Sequence, residues 1–351
     1  HLFEQFLRDL EAGGLLDEKI RLTDTGVWKK LFDFQRDGVR AAINKLLRHG
    51  GCILADSVGL GKTWEALAVI KYFELRNERV LVLCPKKLRT NWDIYPAHAA
   101  NPLNPFPHDR YSFTVLSHTD LNREQGEVGS VDLANFHWEN FGLVVIDESH
   151  NFRNDTKGKP DQDGNPRKSR YEKLIEDVIA KGVKTKVLLL SATPVNNNLA
   201  DLRNQLRLIT AGNDAAFAES LGIPNLANTL KAAQGEFTKW AKLPPAQRDA
   251  RELLARLDSG FFKLLDELTI ARSRDHIRSF YQKEMARLGG FPERAKPDSR
   301  YVEHIDLARE GPTYEALYDH IIKFRLAVYN PSRFGKPEQT AKAENRFENF
   351  T

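Results

Sequence analysis

Nine residues, Ala55–Thr63, have the types and the spacing of a loop that binds phosphate groups. Gly59 and Gly61 would let the backbone curl so that its N–H groups point at phosphate oxygens. Lys62 is placed to reach the β- and γ-phosphates of a nucleotide, and the Thr63 hydroxyl to ligate Mg²⁺. An Asp replaces the first glycine of the general pattern, so only the shorter Gly-x-Gly-Lys-Thr form is present. The sequence therefore predicts a nucleotide-phosphate site in preference to an ordinary glycine-rich turn.

Two further apolar runs end in residues that suit nucleotide hydrolysis. Leu143–Ile146 is followed by Asp147 and Glu148. In such a site the first carboxylate orients Mg²⁺ and the second activates the attacking water. A later apolar run ends in Ser191 and Thr193, whose hydroxyls would sense the γ-phosphate through hydrogen bonds. Each pattern alone also fits a buried strand followed by a polar turn. The functional interpretation is favoured only because both patterns occur in the same chain as the phosphate loop.

The elements that must position these residues are predicted to be parallel strands and helices. Short apolar runs with helical spacing between them are typical of a parallel sheet covered on both faces. Ligands of such sheets bind at the carboxyl edge. We therefore predict an α/β fold with helices at Trp64–Leu75 and Tyr171–Ala180 and with five strands at Cys52–Ala55, Val80–Cys84, Phe113–Ser117, Leu143–Asp147 and Val187–Ser191.

Composition places the chain among ordinary soluble proteins. It has 351 residues, 41% of them hydrophobic and 28% charged, with a net charge of +4. No apolar run approaches the roughly 20 residues that cross a bilayer. Cys52 and Cys84 lie inside apolar runs and are predicted to be small buried side chains, which suits a reducing cytoplasm. The chain begins with His1 and not with methionine, which suggests a piece of a longer protein.

Four regions are predicted along the chain. They are an N-terminal helical segment at 1–30, a nucleotide-binding lobe at 31–212, a helical insertion at 213–290 and a linker at 291–351.

Taken together, Ala55–Thr63, Asp147–His150 and Ser191–Pro194 resemble motifs I, II and III of superfamily 2 helicases and translocases. More narrowly, the chain resembles the bacterial type of Swi/Snf-related DNA-dependent ATPases. The resemblance extends over roughly residues 30–300, and it is supported by Phe34–Val39 as a Q motif, Val80–Leu88 as motif Ia, Phe113–Leu121 as motif Ib and Thr269–Ile277 as a basic segment. Motif II departs from the common Asp-Glu-Ala-His by having Ser149.

The resemblance implies a RecA-like lobe followed by a mainly helical insertion, and it implies residue roles. Gln35 would read the purine of ATP. The other ATP-binding residues would be Asp56, Ser57, Val58, Gly59, Leu60, Gly61, Lys62 and Thr63. Lys62, Asp147 and Glu148 would be catalytic, with Thr63 and Asp147 as ligands of Mg²⁺. The residues that couple ATP hydrolysis to movement would be His150, Ser191 and Thr193. Those that contact nucleic acid would be Pro85, Lys86, Ser117 and His118.

The implied function is that of an ATP-binding motor lobe that translocates on double-stranded DNA. A second RecA-like lobe from the same parent chain would supply arginine fingers, whose absence costs about 10³–10⁵ in rate. We therefore expect the isolated chain to hydrolyse ATP slowly. Two alternatives remain open at this point: a strand-separating superfamily 2 helicase on DNA or RNA, and a nucleotide-binding interaction module with a vestigial ATPase.

Overall fold

The computed structural model describes residues 20–96, 101–158, 160, 167–195, 198–244 and 247–291, together with 316, 319 and 320. The chain divides into two compact units, His1–Phe291 and Pro292–Thr351, and every helix and strand named below lies in the first. The predicted segments 1–30 and 291–351 lie largely outside the described residues. The bounds of the four predicted regions therefore stay predictions.

Eight strands occur in the described part of the chain. Six of them form one sheet in the spatial order β3-β2-β6-β7-β1-β8, and all five pairings are parallel. The other two, β4 and β5, form an antiparallel pair. Their bounds are β1 Gly51–Leu54, β2 Val80–Cys84, β3 Thr114–Ser117, β4 Glu127–Val128, β5 Val131–Asp132, β6 Leu143–Ile146, β7 Lys186–Leu190 and β8 Thr269–Ile270.

Helices connect the strands and cover the sheet. The α-helices are α1 Gly26–Lys30, α2 Asp33–His49, α3 Lys62–Leu75, α4 Arg89–Asp93, α5 Arg170–Lys173, α6 Leu199–Ile209, α7 Ala218–Leu221, α8 Leu226–Ala241, α9 Ala250–Arg256, α10 Ser259–Leu268, α11 Arg274–Phe280 and α12 Gln282–Leu288. The helix α5 continues as a π-helix, Leu174–Ala180, and short 3₁₀ turns follow β2, β3 and β6 at Lys86–Leu88, His118–Asn122 and Ser149–Phe152.

The strands are apolar throughout because both faces of the sheet are buried. Along β1, Ile53 points into one core, while Cys52 and Leu54 point into the other. The helices α2 and α3 pack on the face of Cys52, and α6, α8 and α10 pack on the face of Ile53. Burying a side chain of this size is worth about 1.5–3 kcal/mol, so the two cores fix the sheet firmly. The predicted α/β fold with a doubly covered parallel sheet is confirmed.

Two composition-based predictions can be checked directly. Cys52 and Cys84 are free and buried, and burial raises the pKa of each thiol to about 12. None of the described helices is long and apolar enough to cross a membrane.

Candidate active site

The phosphate loop connects β1 to α3, and two glycines give it its curl. Gly59 and Gly61 have φ values of +83° and +88°, in the left-handed region that side chains disfavour. A Cβ on Gly61 would also overlap the side-chain amide of Gln35. The Lys62 ammonium donates to the Asp56 carbonyl at 2.7 Å and so lies across the loop. The loop thus places the Lys62 ammonium close to the first turn of α3.

The floor of the loop comes from a distant part of the chain. The Ala55 amide donates to the Ile270 carbonyl at 2.6 Å, and the Ser57 amide donates to the Arg272 carbonyl at 3.0 Å. These bonds prolong the parallel pairing of β1 with β8 past the end of both strands. Because the first half of the loop is part of this ladder, its shape depends on residues more than 200 positions downstream.

A buried ionic cluster anchors the loop to that downstream segment. The Arg272 guanidinium donates through Nε to both Asp56 oxygens, at 3.1 and 3.0 Å, and through Nη2 to Glu65 Oε2 at 2.6 Å. Another donor of the same group bonds the Phe34 carbonyl. All three charged groups are about 1% exposed or less. Burial raises the pKa of Glu65 well above its ordinary value, against the opposing effect of the guanidinium.

This cluster defines what Asp56 does in the structure. Its carboxylate is engaged by Arg272, and its carbonyl accepts from Lys62. The Asp that departs from the general glycine pattern therefore acts as an anchor of the loop. Direct contact of its side chain with a nucleotide stays a prediction.

Gln35 links α2 to the phosphate loop. Its Oε1 accepts from the Phe32 amide at 3.0 Å, and its Nε2 donates to the Leu60 carbonyl at 2.9 Å. Beside it lies a cavity of about 240 Å³ whose walls, apart from Gln35 and Gly59–Gly61, are formed by Phe32, Phe34, Trp64, Met285 and Phe291. An aromatic and apolar cavity at the flank of a phosphate loop suits a flat heteroaromatic ring.

The first carboxylate of the acidic pair is held in place by two donors. Trp92 Nε1 donates to Asp147 Oδ2 at 2.9 Å, and the Glu148 amide donates to Oδ1 at the same distance. Burial raises the pKa of Asp147, opposed by the Trp92 hydrogen bond and by the positive charge of Lys62. Asp147 follows β6 and the phosphate loop follows β1, and both strands lie in the same parallel sheet.

The second carboxylate is differently placed. Glu148 adopts φ +50°, a strained left-handed conformation that its surroundings must enforce. Its carboxylate lies 3.1 Å from Nδ1 of His150, and its side chain is 40% exposed. The Glu148 side chain is thus largely open to solvent at the sheet edge, where Asp147 is half-buried.

The hydroxyl residues complete this edge. The Ser191 amide donates to the Leu54 carbonyl at 3.2 Å, which ties the end of β7 to the end of β1. The Ser191 hydroxyl accepts from the Thr193 amide at 3.1 Å. Since β6, β7 and β1 are neighbours, the acidic pair, the hydroxyl residues and the phosphate loop follow three adjacent strands at one carboxyl edge.

The predicted nucleic-acid residues are placed unevenly. Lys86 is exposed and Pro85 half-buried, directly after β2. Ser117 and His118 are buried, and the His118 ring packs on Phe152 with its Nε2 3.3 Å from a backbone carbonyl. Burial lowers the pKa of His118 to about 4. Neither side chain reaches the surface in this structure, and contact of Ser117 and His118 with nucleic acid stays a prediction.

Sequence patterns did not reveal two residues that support the site. Trp92 positions Asp147 from 55 positions away in the sequence, and Glu65 joins the ionic cluster from inside α3. Both contacts arise from tertiary packing. Arg272 and Asp56 are 216 positions apart, and no sequence pattern around either residue predicts that they pair.

Part of this chain is similar to a known protein family. Residues 34–103, which span Gln35, the phosphate loop and the Lys86 turn, match the family model described as the SNF2-related domain. This stretch resembles an SNF2-related domain. The predicted resemblance to Swi/Snf-related proteins is thereby confirmed.

Proteins similar to this chain include the "Uncharacterized ATP-dependent helicase YqhH" of Bacillus subtilis, 25% identical over 291 residues, or 81% of this chain and 41% of that protein. Another is the "SWI/SNF-related matrix-associated actin-dependent regulator of chromatin subfamily A-like protein 1 homolog" of Caenorhabditis elegans, 27% identical over 53% of this chain and 25% of that protein. The chain spans less than half the length of these curated relatives.

Among solved structures, the "Sulfolobus solfataricus SWI2/SNF2 ATPase core in complex with dsDNA" matches with a TM-score of 0.40 and 19% sequence identity, over 70% of this chain and 45% of that one.

Proposed function

We propose that this chain is the ATP-binding lobe of a DNA-dependent ATPase that translocates on duplex DNA. The observation that carries the proposal is the meeting of Lys62, the pair Asp147 and Glu148, and Ser191 at the ends of three adjacent parallel strands. A cation over a phosphate loop, one carboxylate held by two donors and a second carboxylate open to solvent are the groups that phosphoryl transfer to water needs.

The residues present fit ATP. The left-handed Gly59 and Gly61 curl the backbone ahead of α3, where its N–H groups would bind phosphate oxygens, and the cavity beside Gln35 suits the adenine ring. Lys62 would exchange its bond to the loop carbonyl for a phosphate oxygen. Gln35 would offer the same amide that now bonds the Leu60 carbonyl.

The residues also fit Mg²⁺ bound together with a nucleotide. Among the described residues no group of three His, Cys, Asp or Glu side chains could hold a metal alone. Thr63 and Asp147 would therefore share the ion with phosphate oxygens and water, as is usual for Mg²⁺. When bound, the ion neutralises charge on the β- and γ-phosphates.

The chain's own groups divide the work of hydrolysis. Lys62 binds and neutralises the phosphates, and Trp92 holds Asp147 in its orientation. Glu148 accepts a proton from the attacking water, with its carboxylate facing open space beside His150. Ser191 and Thr193, at the end of β7, respond to the state of the γ-phosphate and pass the change to the rest of the lobe.

Duplex DNA would lie along the same carboxyl edge. Lys86 and Lys87 are exposed where β2 ends, and Arg170 is exposed near the buried His118 that follows β3. Ammonium and guanidinium groups in such an arrangement bind phosphates without reading base sequence.

A second lobe from the same protein would close over the nucleotide. The curated relatives are more than twice as long as the matched region, which leaves room for such a lobe in them. Accordingly, we expect the 351-residue chain alone to bind ATP weakly and to hydrolyse it slowly. A strong DNA-stimulated ATPase from this chain by itself would contradict the need for a second lobe.

Translocation is distinguished from strand separation by two substrates. We expect the full-length protein to displace the third strand of a triplex in an ATP-dependent reaction without unwinding a tailed duplex. Unwinding of the tailed duplex would favour the helicase function that the Bacillus relative's name suggests. If Lys62→Ala and Glu148→Gln left all activity unchanged, the chain would instead be an interaction module with a vestigial site.

A further inference from the structure

A glutamine on α6 joins two turns that follow different strands. The acidic turn (Asp147–His150) follows β6, and the hydroxyl turn (Ser191–Pro194) follows β7. The Ser149 hydroxyl donates to Gln205 Oε1 at 2.9 Å. Gln205 Nε2 donates to the Pro194 carbonyl and, at 3.1 Å, to the Asp201 carbonyl. One side-chain amide therefore bonds both turns.

Chemistry fixes the orientation of this amide. The Pro194 and Asp201 carbonyls only accept hydrogen bonds, so the NH₂ group must face them. The carbonyl oxygen of the amide must then face the Ser149 hydroxyl, which is able to donate. A flipped amide would place its oxygen against two carbonyl oxygens. Both hydrogens of Nε2 are used, and the network has one arrangement.

Burial makes the network strong. Both Gln205 and Ser149 are fully buried, at 0% exposure. A buried polar group that loses its partner costs about 1–3 kcal/mol, because no water replaces the lost bond. Displacing either turn from Gln205 is therefore costly, and the two turns are constrained to move together.

The position of Ser149 explains why this matters for chemistry. It lies between Glu148, whose backbone is strained at φ +50°, and His150, whose Nδ1 lies 3.1 Å from the Glu148 carboxylate. A strained residue keeps its conformation only when its neighbours enforce it. The bond from Ser149 to Gln205 is one such constraint on the acidic turn.

We propose that Gln205 is a positioning residue that couples the acidic turn to the hydroxyl turn, so that Glu148 and Ser191 keep one relative geometry. The proposal rests on the proposed ATPase function of this site. It also assigns a role to Ser149, the residue at which motif II departs from the common pattern: its hydroxyl supplies the donor that the Gln205 oxygen requires.

The first test is a double-mutant cycle in the full-length protein with Gln205→Met, Ser149→Ala and the double variant. We expect each single substitution to lower the DNA-stimulated kcat about tenfold and to change the KM for ATP by less than about twofold. The double variant should be no slower than the slower single variant, because both changes break one contact. The proposal would be overturned if the two substitutions lowered kcat multiplicatively in the double variant, or if Gln205→Met left kcat unchanged.

The second test needs no ATPase activity. Hydrogen exchange of the nucleotide-free protein should be about tenfold faster in both turns of Gln205→Met. The control is Arg203→Met, which breaks an ion pair of the same helix with Asp214 and should leave exchange in both turns unchanged. Faster exchange in only one turn, or in neither, would overturn the coupling. A wild-type protein without ATPase activity would refute the proposed function, while the exchange result would still decide the coupling.

Discussion

Replacing Arg272 with methionine should destabilise the protein severely. The guanidinium is 1% exposed and faces the carboxylates of Asp56 and Glu65, which are equally buried. Removing one partner of a buried ionic cluster costs about 3–5 kcal/mol, because the remaining charges stay desolvated. Since folded domains are stable by only about 5–15 kcal/mol, the loss is a large share of the whole.

The same cluster predicts an opposite result at Glu65. Two carboxylates share one guanidinium, and Glu65 Oε1 is buried with no hydrogen-bond partner among the described residues. Glu65→Gln keeps an oxygen for Arg272 and removes the excess negative charge. We therefore expect this variant to be at least as stable as the wild type at neutral pH.

The pH dependence of stability follows from the pKa of Glu65. Burial raises that pKa well above 4.5 in the folded state, so the folded protein holds the proton more tightly than the unfolded chain. The resulting stabilisation is fully present below pH 4.5 and is lost as the pH rises through the folded-state pKa. The advantage of Glu65→Gln over the wild type should therefore grow as the pH rises.

Urea unfolding followed by circular dichroism measures both effects. Arg274→Met is a suitable control, because its guanidinium makes an exposed 3.4 Å bond to the Val58 carbonyl and should contribute less than about 1 kcal/mol. The reasoning is refuted if Arg272→Met costs no more than this control. It is also refuted if Glu65→Gln destabilises the protein as much as Arg272→Met does.

Three further predictions address the site and its support. Gly61→Ala should weaken binding of a fluorescent ATP analogue at least tenfold, whereas Gly50→Ala, with φ +77° and no neighbour within 4 Å, should lose about 1 kcal/mol of stability and no affinity. As the pH drops from 6.5 to about 4, the stability of the wild type should fall by about 3 kcal/mol relative to that of His118→Phe, because the folded-state pKa of His118 is lowered; urea-unfolding profiles of the two proteins that stay parallel would contradict the assignment. Trp92→Phe should raise the Mg²⁺ concentration for half-maximal ATPase activity about tenfold, because Asp147 loses an orienting donor; an unchanged Mg²⁺ titration would show that this donor is unimportant.

The strands could be predicted because burial on both faces leaves an unbroken apolar run. Val80–Cys84 has the predicted bounds, and the other four predicted strands agree within about one residue at each end. The strand β8 was missed, because the two residues Thr269 and Ile270 are too short to form a pattern. The predicted helix Tyr171–Ala180 begins one residue earlier, and most of it is a π-helix, which apolar spacing does not distinguish.

The candidate site was predictable where its residues follow strands. The order of the phosphate loop, Asp147 and Ser191 along the chain, together with parallel pairing, places them at one edge. The supporting residues were not predictable, because Arg272 and Gln205 act through contacts with residues far away in the sequence. The burial of His118 was missed for a related reason: position in a motif does not reveal whether a side chain packs inward.

The central claim is that Glu148 and Lys62 act on one ATP molecule in a DNA-dependent reaction. The most direct measurement is steady-state ATP hydrolysis by the full-length protein, with and without duplex DNA, for the wild type and Glu148→Gln, alongside ATP binding by both. We predict hydrolysis that duplex DNA stimulates in the wild type, a loss of at least about 100-fold in Glu148→Gln, and similar ATP affinity in both. Hydrolysis that survives Glu148→Gln unchanged, or a wild type that neither binds ATP nor responds to DNA, would contradict the account.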